Sequence, residues 1–175
     1  MELALKSLGA VFVVLSSTLI GYYLSLKDDF RAADLRELKR ALSILKSEIQ
    51  FAINFLPIAF QNISSKTEGN ISLLFSAVGN RLKDAGNDTV AAAWQEECET
   101  HLTKSGLVQR DTEQVAQFGK TLGYLDTSLQ LRGIDMLINY IEDTITEAEA
   151  ASGKNKRMLR SMGFLGGLVV VVVLL

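Results

Sequence analysis

The sequence predicts an all-α protein, an antiparallel bundle of about five or six helices with an apolar segment at each end. Three observations support this prediction. The 175 residues contain one proline and are 48% hydrophobic, which fits a single helical domain with membrane attachment. Apart from Glu2 and Lys6, every charged residue lies between Lys27 and Arg160. Between these limits apolar residues recur at steps of three and four, the period of a helix face, and no strand-like alternation competes with them.

The first apolar segment, residues 1–26, is predicted to be a transmembrane helix. Residues 7–26 carry no charge, and a helix of that length spans a hydrocarbon layer of about 30 Å. A cleaved signal peptide is the alternative, but the apolar run exceeds a normal h-region and no A-x-A site ends it. Ser17 and Gly21 have the small-x-x-x-small spacing that permits close contact between membrane helices.

The second apolar segment, residues 158–175, is also predicted to cross the membrane. Its uncharged part, residues 161–175, gives about 22 Å of helix, which is less than a full span. Snorkelling by Arg160 and slight thinning of the bilayer would make up the difference. Gly163 and Gly167 form a G-x-x-x-G pair, so they are candidates for packing against another membrane helix.

The basic residues predict a cytoplasmic location for the middle of the chain. Cytoplasmic flanks of membrane spans retain Lys and Arg. Here Lys27 and Arg31 follow the first segment, and Lys156 and Arg157 precede the second. Of all Lys and Arg residues, the only one outside residues 27–160 is Lys6, in the first segment. We therefore expect residues 27–157 to form a cytoplasmic bundle, with both termini across the membrane.

Within this middle part, helix ends are expected where capping residues, glycine or proline interrupt the apolar pattern. Pro57 should kink or stop the first long helix because it lacks a backbone donor. The predicted helix starts are Asn70, Asp88, Asp111 and a Thr127–Gln130 capping box, and the predicted ends are Gly86 and a left-handed Gly123. The predicted inward-facing residues are Leu35, Leu38, Leu42, Leu45, Ile49, Ala52, Leu56, Ile71, Leu74, Val78, Leu82, Ala91, Trp94, Cys98, Leu102, Val115, Phe118, Leu122, Leu129, Gly133, Met136, Leu137, Tyr140, Ile141, Thr144 and Ala148.

The sequence offers little for catalysis, metal binding or nucleic-acid recognition. Cys98 is the only cysteine and His101 the only histidine. Three residues apart on one helix, they could form a nucleophile–base pair or half of a zinc site, but zinc requires three or four protein ligands. We interpret Cys98 as a buried thiol and expect no catalytic residue, metal or cofactor. A net charge of -2 without a long basic block argues against binding to phosphate backbones.

Four basic residues on the first long helix are predicted to form a contact stripe for an acidic partner: Arg36, Lys39, Arg40 and Lys46. Steps of three and four keep them on one side, away from the apolar residues. A merely solvated face and attraction to anionic lipid are the alternatives. Lys46 lies twenty residues past residue 26. This is roughly 30 Å along a straight helix, several times the Debye length of about 8 Å, which weakens the lipid alternative.

Several stretches together resemble the stage III sporulation protein AB family of endospore-forming bacteria. They are residues 8–12, residues 35–49, Pro57, Trp94, residues 118–130, and residues 154–158 running into Gly163. The most specific is the string F-G-x-x-L-G-x-x-D-x-x-x-Q, which makes Gly119, Gly123, Asp126 and Gln130 candidates for a turn or a partner contact. Leu125 stands where the family often has a small or polar residue.

The resemblance implies a membrane protein of the mother cell, in the apparatus that joins it to the forespore. The family's soluble part is similar to the cytoplasmic domain of the type II secretion and type IV pilus platform protein, which sits between a hexameric ATPase and membrane components. The implied partners are therefore a cytoplasmic hexameric secretion ATPase, other membrane proteins of the sporulation channel, and the lipid bilayer. Self-association is left open.

We therefore predict a non-enzymatic platform in the mother-cell membrane around the forespore. The main alternative is a membrane-tethered sensor or regulator whose bundle binds a signalling partner or small ligand. A hydrolase that uses Cys98 and His101 is a more distant alternative.

Overall fold

A computed structural model describes the backbone of residues 2–52, 55–84, 89–123 and 126–174. Side chains are described for Gly9, Ser16 and residues 27–51, 55–84, 89–123 and 126–153. The elements are α1 Glu2–Ser47, a π-helical segment Glu48–Ala52, α2 Leu56–Ser64, α3 Gly69–Asp84, α4 Val90–Leu102, α5 Gln109–Leu122 and α6 Thr127–Leu174. No strand occurs in these described ranges, so the predicted all-α class with about six helices is confirmed.

The chain divides into two compact units, one formed by the two ends of the sequence and the other by its middle. One unit combines Met1–Asp29 with Glu147–Leu175, and the other is Phe30–Thr146. In the first unit the Ser152 hydroxyl donates to the Asp29 carboxylate at 2.7 Å.

Apart from Gly9 and Ser16, the side chains of the two predicted membrane segments lie outside the described residues. These segments are residues 1–26 and 158–175, including Ser17, Gly21, Gly163 and Gly167. Among the residues whose side chains are described, no helix combines the length and the apolar character needed to cross a membrane.

The core of the Phe30–Thr146 unit follows the predicted apolar pattern on the first five helices. Leu35, Leu38, Leu42 and Leu45 on α1 are fully buried. A cluster of aromatic rings fills the space between α2, α3, α4 and α5. The Trp94 ring centroid lies 5.3 Å from that of Phe75, 5.7 Å from that of Phe118 and 6.1 Å from that of Phe60.

On α6 the inward face differs from the prediction. Leu129 and Met136 are 43% and 69% exposed, and Ile134 is buried in their place. The predicted set was wider than one helix face, so it could not all point inward. Leu137, Ile141, Thr144 and Ala148 are buried as predicted. The other predicted core positions that are only partly buried are Ile49, Leu56, Leu82, Ala91, Gly133 and Tyr140. The side chain of Ala52, also predicted to face inward, lies outside the described residues.

Several helices begin or end a few residues away from the predicted positions. Pro57 does not stop α1, which ends earlier at Ser47; it occupies the first turn of α2, where a missing N–H costs no helical bond. Asn70 does not cap α3, which begins at Gly69, and its amide donates to the Lys104 carbonyl at 2.9 Å.

The start of α4 also differs from the prediction. Gly86 and Asp88 lie outside the described residues, and the N-cap of α4 is Thr89, whose hydroxyl accepts from the Ala92 N–H at 3.2 Å. Thr89 caps the helix because a short side-chain oxygen can satisfy an N–H of the first turn.

Candidate functional site

The structure separates the four predicted basic contact residues into two kinds. The Lys39 ammonium lies 2.8 Å from the Glu142 carboxylate, and the Lys46 ammonium lies 2.5 Å from the Asp135 carboxylate. Both carboxylates belong to α6, so these pairs tie α1 to α6 in antiparallel order. The pairs are half exposed and contribute at most about 1 kcal/mol each. Lys39 and Lys46 therefore have partners within the chain, and a contact stripe of all four residues stays a prediction.

The other two residues, Arg36 and Arg40, face solvent on α1. The Arg40 side chain is 59% exposed and lies 3.7 Å from Glu37. Glu37 also accepts the backbone N–H of Glu68 at 2.9 Å, which holds this carboxylate at the flank of α1. Of the four basic side chains, Arg36 and Arg40 are therefore the two that are mainly exposed to solvent.

The family-like string from Phe118 to Gln130 builds the corner between α5 and α6. Phe118 and Leu122 are buried. Gly119 packs against the indole of Trp94, since a Cβ added there would lie 2.4 Å from Trp94 Cδ1. The Trp94 Nε1–H donates to the Val115 carbonyl at 2.8 Å, which fixes the ring against α5. Gly119 thus permits close approach of α5 to α4.

The rest of the string joins the end of α5 to the start of α6. Gly123 ends α5 with φ -81°, so the predicted left-handed conformation is wrong. The Thr127–Gln130 capping box is also wrong. Asp126 caps α6 by accepting the Ser128 N–H at 2.7 Å, and the Gln130 amide donates to the Leu122 carbonyl at 3.1 Å. Gln130 can reach back because the turn places the last α5 carbonyls, which lack helical partners, beside it. A partner-contact role for Gly119, Gly123, Asp126 and Gln130 stays a prediction.

Replacing Asp126 by alanine should lower the thermal unfolding midpoint at neutral pH, because it removes the α6 cap. Hydrogen bonds from Ser128, first from its side chain and then from its backbone, lower the pKa of Asp126. A carboxyl group whose pKa is lower in the folded state stabilises the fold at pH values above its ordinary pKa of about 3.9. This stabilisation is lost as the pH falls below that value. Melts of both proteins should therefore converge in acid. Thr127→Ala is the control and should match wild type, and an Asp126→Ala midpoint equal to wild type at neutral pH would contradict the capping role.

A buried polar cluster joins α1, α5 and α6. Val108 is the N-cap of α5, and the Asp111 carboxylate, predicted to cap this helix, accepts the Val108 N–H at 3.3 Å from the first turn. Asp111 is fully buried. Its two oxygens also accept from the Arg31 guanidinium at 2.8 and 3.0 Å and from the Tyr140 hydroxyl at 3.1 Å. From the sequence, Asp111 is recognisable only as an acidic residue in the first turn of a helix. Its pairing with Arg31 could not be predicted, because the two residues are 80 positions apart.

Cys98 and His101 do not form a nucleophile–base pair. Cys98 is 2% exposed. Burial, and then the nearby charges of Glu97 and Glu99, raise the pKa of its thiol. Because the thiolate is the reactive form, this thiol is inert. His101 Nε2 lies 3.3 Å from the Glu97 carboxylate, one turn earlier on α4. The interpretation of Cys98 as a buried thiol is confirmed.

A groove lies between α4 and α5, near these residues. Its lining includes Cys98, Glu99, Glu113 and Lys120, and it is about half open to solvent. Small-molecule sites usually enclose most of the ligand within an apolar recess that has a few placed polar groups, and this groove differs from such sites because charged residues line it.

Within the described side chains, no group of three or more His, Cys, Asp or Glu is placed to hold a metal ion.

Comparison with known proteins extends the earlier resemblance over nearly the whole chain. Residues 6–175 match the family model described as stage III sporulation protein AB. The chain is 34% identical over 171 residues to stage III sporulation protein AB of Bacillus subtilis (strain 168), covering 98% of this chain and 99% of that protein. It is also similar to a solved structure of a stage III sporulation protein AB, with a TM-score of 0.67 and 30% identity over 71% of this chain and 97% of the other.

Proposed function

Because this chain belongs to the stage III sporulation protein AB family, we propose that it is a non-enzymatic membrane platform of a channel between mother cell and forespore. In this function it links a cytoplasmic hexameric secretion ATPase to the channel's other membrane proteins. The observation that carries the proposal is a family match that extends over the bundle and both uncharged ends. The inert Cys98 and the Glu97-paired His101 support a function in binding rather than catalysis.

The membrane part of the proposal rests on the distribution of charge along the sequence. Residues 7–26 and 161–175 carry no charge, and basic residues flank both segments on the side of the bundle. A two-span anchor with this charge bias places residues 27–157 in the mother-cell cytoplasm. It leaves the exposed faces of the bundle available to cytoplasmic partners.

Attaching a reporter enzyme that is active only outside the cytoplasm tests this topology. Fused after residue 175, the reporter should be active, because two spans return the chain to the outer side. The control inserts the same reporter after Lys104, at the exposed turn that follows α4, where it should be inactive. An inactive fusion at residue 175 with normal protein levels would contradict the two-span topology.

Co-purification from sporulating cells tests the platform function. The full chain, extracted in mild detergent, should recover a hexameric ATPase, and the recovery should survive washing because a platform holds its ATPase in a specific interface. A tagged membrane protein of similar size serves as the control. Recovery of a small ligand or a signalling protein without the ATPase would favour the sensor alternative and contradict the platform.

A further inference from the structure

We propose that Phe30 and the turn between α4 and α5 contact the headgroup layer of the lipid bilayer, with the Phe30 ring among the lipids and the Lys104 ammonium at their phosphates. This inference rests on the proposed two-span anchor and deepens it by assigning the part of the bundle that binds the membrane surface. We call this part the interfacial corner; it consists of Phe30 and residues 103–107.

Phe30 is an apolar side chain that the core of the bundle does not use. Its side chain is 61% exposed, whereas Ala32 and Leu35 on the same helix are buried. A phenylalanine offers about 150–250 Å² of surface, most of it apolar. Exposed aromatic and leucine side chains are typical of surfaces that proteins bury at the boundary between lipid headgroups and acyl chains. The exposure of Phe30 therefore has an explanation if the bilayer lies beside it.

The length of chain between Phe30 and the uncharged segment 7–26 places the bilayer within its reach. Phe30 follows residue 26 by four residues, and four residues span at most about 14 Å in any conformation. The headgroup region adds about 5–8 Å on each side of the hydrocarbon layer. In the proposed anchor residue 26 lies at the edge of that layer. The Phe30 side chain can therefore enter the headgroup region in whatever direction the connecting residues run.

The turn between α4 and α5 lies directly against the backbone of Phe30. A Cβ added to Gly106 would lie 2.8 Å from the carbonyl carbon of Phe30 and 2.9 Å from the backbone nitrogen of Arg31, so the absence of a side chain permits this approach. The Gly106 N–H also donates to the Asp34 carboxylate at 2.6 Å. Lys104 is two residues from Gly106, which limits their Cα separation to about 7 Å. Phe30 and Lys104 therefore belong to one part of the surface.

Contacts on both sides of the turn hold the interfacial corner in one conformation. The Asn70 amide donates to the Lys104 carbonyl at 2.9 Å. On the α5 side, the Asp111 carboxylate accepts from the Arg31 guanidinium at 2.8 and 3.0 Å, next to Phe30 in the chain. A surface that is already fixed loses little conformational entropy when it binds. The corner is therefore suited to hold the bundle in one orientation at the membrane.

The polar chemistry of the interfacial corner matches that of lipid headgroups. Lys104 is exposed, and its ammonium group can donate several hydrogen bonds to phosphate oxygens while its stem lies along apolar surface. The carboxylates of Asp34 and Asp111 at the turn accept hydrogen bonds from Gly106 and Arg31, so donors of the bundle offset part of their charge. An apolar ring beside an ammonium group is the combination that interfacial surfaces present to lipid.

Quenching of a fluorescent label by lipid tests the interfacial corner in the full chain, reconstituted in phosphatidylcholine nanodiscs that contain a lipid with a nitroxide on its headgroup. The label is attached to the Lys104→Cys protein; the buried Cys98 thiol stays unlabelled, and the wild-type chain treated in the same way is the blank. The label at position 104 should be strongly quenched. A label on Lys120→Cys is the matched control, because Lys120 is also exposed but lies about 16 Å beyond the start of α5. It should be quenched much less.

Paired substitutions test the two side chains of the interfacial corner. With the label at position 104, Phe30→Ser should reduce quenching to the level at position 120, whereas Phe51→Ser should leave it unchanged. Phe51 is the matched control because it is 73% exposed and lies roughly 30 Å further along the chain's first helices. With the label moved to Phe30→Cys, Lys104→Glu should lower the quenching and Lys120→Glu should not. All variants should retain wild-type circular dichroism, since the substituted side chains are exposed.

Several outcomes would overturn the interfacial corner. Equal quenching at positions 104 and 120, in nanodiscs that hold the chain, would overturn the membrane contact and leave the two-span anchor standing. Unchanged quenching at position 104 in the Phe30→Ser protein would do the same. A crosslink from position 104 to a protein rather than to lipid in sporulating cells would assign the corner to a protein partner instead. Failure of the wild-type chain to enter nanodiscs, with an inactive reporter at residue 175, would overturn the anchor and the membrane contact together.

Discussion

Replacing Gly119 by alanine should lower the free energy of unfolding of the bundle by about 2 kcal/mol or more. The added methyl group would lie 2.4 Å from Trp94 Cδ1, closer than nonbonded carbon atoms approach. Trp94 cannot move aside easily, because it is fully buried among Phe60, Phe75 and Phe118 and hydrogen-bonded to the Val115 carbonyl. Separating α5 from α4 would therefore loosen the whole aromatic cluster.

Gly123→Ala is the matched control for this prediction. Gly123 has an ordinary helical φ of -81°, and a Cβ there would meet only the Lys120 carbonyl at 3.9 Å. It should unfold with wild-type stability or slightly above it. Denaturant unfolding of the full chain can be followed by the fluorescence of Trp94, the only tryptophan. Equal free energies of unfolding for the Gly119→Ala and Gly123→Ala proteins would contradict the close contact between Gly119 and Trp94.

Replacing Asp111 by alanine should destabilise the bundle by about 3–5 kcal/mol, the usual cost of removing one partner of a buried ion pair. The Asp111 carboxylate accepts hydrogen bonds from Arg31, Tyr140 and the Val108 backbone. Without it, the guanidinium group loses a bidentate partner in a site where its side chain is only 14% exposed. Three helices would lose their common contact at once.

The surface pair of Lys46 and Asp135 provides the control for Asp111. Asp135→Ala removes a half-exposed carboxylate and should cost at most about 1 kcal/mol. A second test combines Arg31→Met with Asp111→Leu, which removes both charges together. The double variant should be more stable than Asp111→Ala because no buried charge is left without its partner. If Asp111→Ala and Asp135→Ala lowered the free energy of unfolding by similar amounts, burial of the Arg31–Asp111 pair would have no energetic importance.

The helical class and most of the core could be predicted because they depend on local periodicity. The spacing of Leu35, Leu38, Leu42 and Leu45 alone predicts which side of α1 is buried. The prediction was less accurate on α6, where Leu129 and Met136 are exposed, because apolar residues there cover more than one side of the helix. Helix caps were predicted from residue type, but which residue takes the role depends on the path of the turn. Asp126 rather than Thr127 caps α6 for this reason.

The sequence by itself determined the helical class, the inward face of α1, the burial of Cys98 and the two uncharged ends. Each follows from the order of apolar and polar residues within one segment. Only the tertiary structure decided that Lys39 and Lys46 pair with α6, that Gly119 meets Trp94, and that Arg31 and Asp111 share a buried site. These contacts join residues far apart in the chain, so they depend on how the helices pack, which no local pattern records.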